Sequence, residues 1–233
     1  MTILSVRNLS KSYGGVRAVK DVSFDLAAGE LLAMIGPNGA GKTTCFNMLM
    51  GQIRPDGGSI ALNGRKITGL PPRRIWRLGV GRTFQITQTF ASMTVAENVQ
   101  MALISHHKRI HHMVRPAGSF YRDEAIALLD RVGMVAQADR ACAVLAYGDL
   151  KRVELAVALA NSPTLLLMDE PTAGMAPRER IDLMGLTADI VRTEGLSVLF
   201  TEHDMDVVFA HADRIMVLNR GELVAQDKPE AVR

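Results

Sequence analysis

The chain has 233 residues, of which 48% are hydrophobic and 22% charged, with a formal net charge of +3 at pH 7. Such a chain can form one large α/β domain, or one core with a smaller lobe. The basic excess is small and scattered, so it does not indicate nucleic-acid binding. The N-terminus lacks the apolar core of a signal peptide, and no apolar run approaches the roughly 18 residues of a membrane span. The sequence therefore favours a cytoplasmic protein, and Cys45 and Cys142, which fit no metal or redox spacing, are expected to be buried thiols.

The first third of the chain alternates between strand and turn patterns. Strands are predicted in ILSVRNL and VSFDL, and LLAMI predicts a short apolar strand that ends at a glycine-rich loop. TTCFNMLMG then predicts a helix that ends at Gly51. IALNGRKI is typical of a hairpin around Asn63 and Gly64.

From PPRRIWRLG to about Arg140 the pattern becomes helical, which predicts a helical lobe inserted into the α/β core. A helix over 150–160, a strand in TLLLMD, a helix that begins near Pro177 and a strand in LSVLF follow, and then a helix and a final pair of strands. Strands that alternate with helices predict a mainly parallel sheet covered on both faces.

The strongest motif is GPNGAGKTT, which lies directly between a predicted strand and a predicted helix. Its glycines allow backbone N–H groups to point at phosphate oxygens, and the helix N-terminus adds partial positive charge. Lys42 is placed to contact the β- and γ-phosphates, Thr43 to ligate Mg²⁺ and Thr44 to reach the α-phosphate. The nucleotide-binding residues predicted from this loop are Gly36, Pro37, Asn38, Gly39, Ala40, Gly41, Lys42, Thr43 and Thr44.

Two later strands end in residues suited to phosphate chemistry. Asp169 ends the TLLLMD strand, where its carboxylate can hold Mg²⁺ through water, and Glu170 follows, where it can polarise an attacking water. His203 follows the LSVLF strand. If the two strands are parallel neighbours, its ring can contact the γ-phosphate or the attacking water.

GPNGAGKTT, RTFQ (82–85), LAYGD (145–149), LLLMDEPTAG and TEHD, in this order, resemble the ATP-binding cassette of ABC transporters. RLGVGRTFQITQTFASMTVAENV and DEPTAGMAPRER are similar to the ATP-binding subunits of branched-chain amino-acid uptake systems. The resemblance implies a P-loop NTPase core of mainly parallel sheet at about 1–85 and 160–233, with N-terminal antiparallel strands. It also implies an inserted helical lobe at about 86–159, with ATP and Mg²⁺ as cofactors.

The resemblance also implies roles for other residues. Tyr13 would stack on adenine, and Gln85 would lie at the Mg²⁺ and the water, at the hinge to the helical lobe. TQTFASMTVAENV would form the groove for a helix of the membrane subunit, although Val95 and Val99 also fit the lobe's own core. Ala173 to Ala176 would cross a dimer interface. Many relatives have Asp where Ala176 stands, which puts communication through that Asp in doubt.

The stretch LAYGD corresponds to the family's signature, ordinarily LSGGQ, which contacts the ATP of a partner cassette. Leu145 and Gly148 are kept, whereas Ala146, Tyr147 and Asp149 replace serine, glycine and glutamine. One lost hydroxyl contact to a phosphate removes about 1.5–3 kcal/mol, but the helix N-terminus remains. Asp149 either stabilises the first helical turn, which we favour, or repels the triphosphate. The motif is interpreted as a weakened signature that completes the partner's site.

Four histidines form the cluster His106, His107, His111 and His112. On a helix, His107 and His111 would share a face, a geometry that can bind Zn²⁺. No carboxylate or cysteine lies inside the cluster, so a solvated loop of the helical lobe is favoured.

The sequence thus predicts an ATPase subunit of an importer for branched-chain amino acids or similar small solutes. The resemblance implies a second cassette, more often a different one, two transmembrane permease subunits and an extracytoplasmic solute-binding protein. It places the chain peripherally on the inner face of the cell membrane. The alternatives are a lipopolysaccharide-export cassette, opposed by RTFQ, a non-transport ABC ATPase acting on ribosomes or DNA, and a binding module without hydrolysis, opposed by Glu170.

Overall fold

The computed structural model describes residues 1–83, 89–107 and 120–232, whose strands form two sheets. The strands are β1 Thr2–Tyr13, β2 Val16–Ala27, β3 Leu31–Ile35, β4 Gly57–Leu62, β5 Arg65–Lys66, β6 Val80–Thr83, β7 Leu165–Asp169, β8 Ser197–Thr201, β9 Arg214–Asn219 and β10 Glu222–Asp227. The helices are α1 Lys42–Leu49, α2 Pro72–Arg77, α3 Val95–His106, α4 Arg122–Arg131, α5 Tyr147–Leu159, α6 Pro177–Glu194, α7 Met205–His211 and α8 Pro229–Val232.

The smaller sheet is antiparallel, with the strand order β2-β1-β4-β5. Its inward face carries Leu4, Val6 and Leu9, all fully buried, as expected for a sheet with one face on the core. The predicted hairpin joins β4 to β5. Both turn residues, Asn63 and Gly64, have positive φ, which Asn-Gly turns favour.

The larger sheet has the order β10-β9-β3-β8-β7-β6 and is parallel except for the edge pair β9–β10. Every residue of β7 and β8 is buried, because this sheet is covered on both faces. The predicted α/β class is thus confirmed. In the parallel register Thr201 of β8 pairs with both Met34 of β3 and Asp169 of β7. The carboxyl ends of the three central strands therefore meet at one edge of the sheet.

The predicted helical stretch from residue 71 to Arg140 needs one correction. Residues Val80–Thr83 form β6, the edge strand beside β7. Within the described residues, no further strand pairs with the outer edge of β6. The strand was not predicted because its four residues are too few to show an alternation of apolar and polar residues, and because they closely follow the helical pattern of α2.

Helices α3, α4 and α5 pack together through buried apolar side chains. Thr94 and Glu97 cap α3 reciprocally, each accepting a hydrogen bond from the other's backbone N–H. Val95 and Val99 are fully buried, which confirms that they belong to the core of this helical region. Cys45 and Cys142 are buried free thiols, and burial raises the pKa of Cys45 to about 12. Among the described helices, none has the length and apolarity needed to span a bilayer.

Candidate active site

The glycine-rich loop joins β3 to α1 and packs closely against neighbouring backbone. Gly36 and Gly41 have φ values of +149° and +104°. A Cβ at Gly36 would lie 2.1 Å from the carbonyl oxygen of Leu218, and one at Gly41 would lie 2.5 Å from that of Ala18. Both positions therefore require glycine for conformation and for space.

The loop and the first turn of α1 line an open cavity of about 270 Å³. The helix N-terminus has no side-chain cap, so its N–H groups remain suited to binding an anion. The cavity is lined by Tyr13, Ala18, Asn38, Gly39, Ala40, Gly41, Lys42, Thr43, Thr44 and Glu170. Tyr13, predicted to contact the adenine, and Glu170, predicted to lie near the γ-phosphate, thus line the same cavity as the phosphate loop.

Lys42 folds back over the loop. Its ammonium donates to the carbonyl oxygens of Gly36 at 2.6 Å and Pro37 at 3.2 Å. Burial lowers the pKa of Lys42, and the negative charges of Glu170 and Asp169 act in the opposite direction. The lysine is thus electrostatically coupled to both predicted carboxylates.

Asp169, at the end of β7, is held on both carboxylate oxygens. Its Oδ1 accepts the hydroxyl of Thr201 at 2.9 Å, and its Oδ2 accepts Arg82 Nη2 at 3.2 Å. Arg82 also donates to the side-chain oxygens of Asn47 and Gln52 at 3.1 and 2.9 Å. Burial lowers the pKa of Arg82, while Asp169 opposes that effect. Neither Arg82 nor Thr201 has a role that could be predicted from the sequence, because the contact of Arg82 with Asp169 joins strands 87 residues apart.

Glu170 adopts a left-handed backbone conformation, with φ of +48°, which is strained for a residue with a side chain. Its N–H donates to the hydroxyl of Thr201 at 3.0 Å and to the carbonyl of Thr201 at 3.2 Å. Its Oε1 lies 2.9 Å from Nε2 of His203. The predicted pair of catalytic side chains is therefore in direct contact.

The described residues fit Mg²⁺ and a nucleoside triphosphate. Each carboxylate oxygen of Asp169 has one donor named above and a further lone pair for a water molecule. Thr43 brings a hydroxyl to the cavity, and such oxygen donors are the ligands that Mg²⁺ prefers. Gln85, the third predicted magnesium residue, lies outside the described residues.

The LAYGD stretch begins α5 and does not line the cavity of this chain's own phosphate loop. Ala146 is the N-cap residue and has no capping side chain, and Asp149 lies in the first turn. A Cβ at Gly148 would meet the carboxylate of Glu179 at 3.0 Å, and one at Gly174 would meet the ring of Tyr147 at 3.4 Å. The signature stretch therefore packs against the loop that contains Ala173 to Ala176 and the start of α6.

The histidine cluster is only partly described, because His111 and His112 lie outside the described residues. His107 stacks on the ring of Tyr121 at 4.5 Å, and its Nε2 lies 3.2 Å from the carboxylate of Glu124. His106 packs edge-on against Trp76. These contacts give both described histidines a packing role at the end of α3.

A phosphate loop, an aspartate that ends a central strand and a Glu–His pair at the same sheet edge are the features of an ATP-hydrolysing P-loop cassette. Residues 19–173 match the ABC transporter family model, and the chain belongs to that family. It is 40% identical over 241 residues to the high-affinity branched-chain amino acid transport ATP-binding protein LivG of Salmonella typhimurium, covering 99% of this chain and 93% of that protein. BraF of Pseudomonas aeruginosa, which has the same description, is 39% identical over the same coverage.

Solved structures agree with the fold assignment. An ATP-binding cassette of an ABC transporter superposes with a TM-score of 0.89 at 30% identity, covering 99% of this chain and 93% of that chain. A dimeric cassette in a post-hydrolysis state, bound to ADP and phosphate, superposes with a TM-score of 0.81 at 25% identity, with coverages of 97% and 99%. Cassettes of this family bind nucleotide, hydrolyse ATP and form dimers.

Proposed function

We propose that this chain is the ATP-hydrolysing subunit of an importer for branched-chain amino acids or similar small organic solutes. The proposed ATP hydrolysis is supported above all by the contact of His203 with Glu170, which lines the phosphate-loop cavity. The solute class rests on the names of the relatives at 39–40% identity.

In the proposed reaction the loop N–H groups and Lys42 bind the phosphates, and Tyr13 stacks on the adenine. Thr43, Gln85 and Asp169 would hold Mg²⁺, which supplies positive charge to the phosphate oxygens when bound. Glu170 orients the attacking water and accepts its proton, and His203 orients the carboxylate of Glu170.

We further propose a head-to-tail dimer in which LAYGD contacts the partner's ATP. The first turn of α5 offers backbone N–H groups and a helix N-terminus, without a serine hydroxyl at Ala146. The site on this chain's own loop depends on the signature that the partner supplies. A second, different cassette would fit this asymmetry.

Coupling to transport would need further subunits. We propose two transmembrane permeases that hold the chain at the inner face of the membrane, and an extracytoplasmic solute-binding protein. The helical lobe at about 86–159 would receive the permease, and the parts at about 1–85 and 160–233 would form the catalytic core.

Isolation from the native membrane tests this function. A tagged copy of the chain should co-purify in mild detergent with two permeases and a second cassette. The assembly should hydrolyse ATP faster when leucine-loaded binding protein is added than when the unloaded protein is added. Recovery of ribosomal or DNA-repair proteins, or of lipopolysaccharide-export permeases, would contradict the proposal.

A further inference from the structure

A buried carboxylate links the two segments that carry the proposed catalytic pair. Glu202, only 4% exposed, immediately precedes His203. Its Oε1 accepts the N–H of Thr172 at 2.9 Å and the hydroxyl of Thr172 at 2.6 Å. Its Oε2 accepts the N–H of His203 at 3.1 Å. One side chain thereby connects the turn after Glu170 to the residue that contacts it.

This link lies just beyond the end of the regular sheet. The paired register of β7 and β8 stops at Asp169 and Thr201. The next residue on each chain segment, Glu170 and Glu202, is outside that register. At Glu170 the two segments are still joined by the hydrogen bonds of its N–H to Thr201. Beyond Glu170, the hydrogen bonds of Glu202 to Thr172 and His203 continue the connection.

Glu170 and His203, which the contacts of Glu202 connect, are not held firmly by their own backbone conformation or burial. Glu170 has a left-handed φ of +48°, a conformation that persists only where its surroundings hold it. The side chain of His203 is 46% exposed and that of Glu170 is 22% exposed. Thr172, in contrast, is 1% exposed, so the turn is anchored at a buried point two residues from the proposed catalytic carboxylate.

We propose that Glu202 and Thr172 form a positioning pair for ATP hydrolysis: the buried Glu202–Thr172 contact sets the distance and orientation of Glu170 relative to His203. Glu202 is not among the residues that line the described cavity, and both of its carboxylate oxygens accept hydrogen bonds from Thr172 and His203, so it acts through these neighbours and not on the nucleotide. This inference rests on the proposed hydrolytic role of Glu170.

Two substitutions of Thr172 separate positioning from packing. Thr172→Val keeps the volume and loses the hydroxyl, whereas Thr172→Ser keeps the hydroxyl and loses a methyl group. For a positioning role, Thr172→Val should lower kcat roughly tenfold with an unchanged KM for ATP, because a charge-assisted hydrogen bond is lost. Thr172→Ser should retain near-wild-type kcat. The reverse order, or a raised KM at unchanged kcat, would overturn the proposal.

Glu202→Gln supplies the second half of a double-mutant cycle. The N–H groups of Thr172 and His203 donate to different oxygens of Glu202. In glutamine one of these oxygens becomes an NH2 donor that faces an N–H group, so kcat should fall by at least as much as in Thr172→Val. The double variant Glu202→Gln, Thr172→Val should be little worse than Glu202→Gln alone, because both remove the same contact. Effects that multiply independently would contradict the pairing. ATP-binding affinity and the urea midpoint of each variant show whether it is folded.

The background variant Glu170→Gln distinguishes this inference from the proposed function. In that background Thr172→Val should produce no further fall in the residual rate, because the carboxylate being positioned is gone. An additional tenfold fall would overturn the positioning role. If Glu170→Gln itself hydrolysed ATP at the wild-type rate, the proposed function of Glu170 would fail, whatever the Thr172 variants did.

Discussion

Replacing Arg82 with methionine should destabilise the fold through the carboxylate that it leaves behind. The side chain of Arg82 is 6% exposed and that of its partner Asp169 is 12% exposed. The guanidinium also joins α1 and the turn after it, through Asn47 and Gln52. Methionine keeps much of the apolar stem of Arg82 but removes the charge and its donors.

The expected loss follows from burial. Removing one partner of a buried ion pair typically costs about 3–5 kcal/mol, because the other charge stays buried without compensation. Asp169 retains the hydroxyl of Thr201 at 2.9 Å, and neither charged side chain is completely buried. We therefore expect Arg82→Met to lose about 3 kcal/mol of unfolding free energy, the lower end of that range.

Urea denaturation of four proteins measures the effect: wild type, Arg82→Met, Asp169→Asn and the double variant. The double variant should be more stable than Arg82→Met, because a neutral amide needs no buried cation. Arg82→Lys is the control that keeps a charge while losing the planar, multiple-donor geometry. A loss below about 1 kcal/mol for Arg82→Met, or a double-variant loss equal to the sum of the single losses, would refute the reasoning.

Three further predictions concern the rim of the site and the signature. Asp204 caps α7, and its hydrogen bond from Arg180 lowers its pKa. Asp204→Asn should lose about 0.5–1 kcal/mol of unfolding free energy at neutral pH. The difference in unfolding free energy between wild type and Asp204→Asn should have its full value above the unfolded-state pKa of about 3.9. It should disappear as the pH falls through the lower folded-state pKa of Asp204. A difference that does not change with pH would contradict the assignment. Ala146→Ser should speed hydrolysis at the partner's site in single-site turnover and leave this chain's own site unchanged, and no change at either site would refute the weakened-signature interpretation. Tyr13→Ala should raise the KM for ATP roughly tenfold through lost stacking, whereas Tyr13→Trp should not; equal KM values for both variants would exclude a stacking role.

Local patterns in the sequence predicted those parts of the site that depend on neighbouring residues. The phosphate loop follows from a motif between a strand and a helix, and Asn63 and Gly64 specify their own turn. Glu170 and His203 could be placed together because parallel strands end at one edge of the sheet. The strand Val80–Thr83 was missed because it is too short to show a period and follows a helical pattern.

The residues that hold the site were not predictable in this way. Arg82 and Asp169 are 87 residues apart, and Thr172 and Glu202 are 30 apart. Each contact depends on the register between neighbouring strands, which a single sequence does not state. The sequence shows only that Glu202 precedes His203. The structure shows that the carboxylate of Glu202 accepts hydrogen bonds from Thr172, in the turn after Glu170.

The most direct test of the central claim is ATP binding and ATP hydrolysis measured side by side in the wild type and Glu170→Gln. The account predicts that the variant binds ATP at least as tightly as the wild type, because Lys42 and the phosphate loop are intact. It predicts that hydrolysis by this chain's own site falls at least about a hundredfold, in the range of a lost general base. Wild-type hydrolysis in Glu170→Gln, or failure of the wild-type chain to bind ATP, would contradict the account.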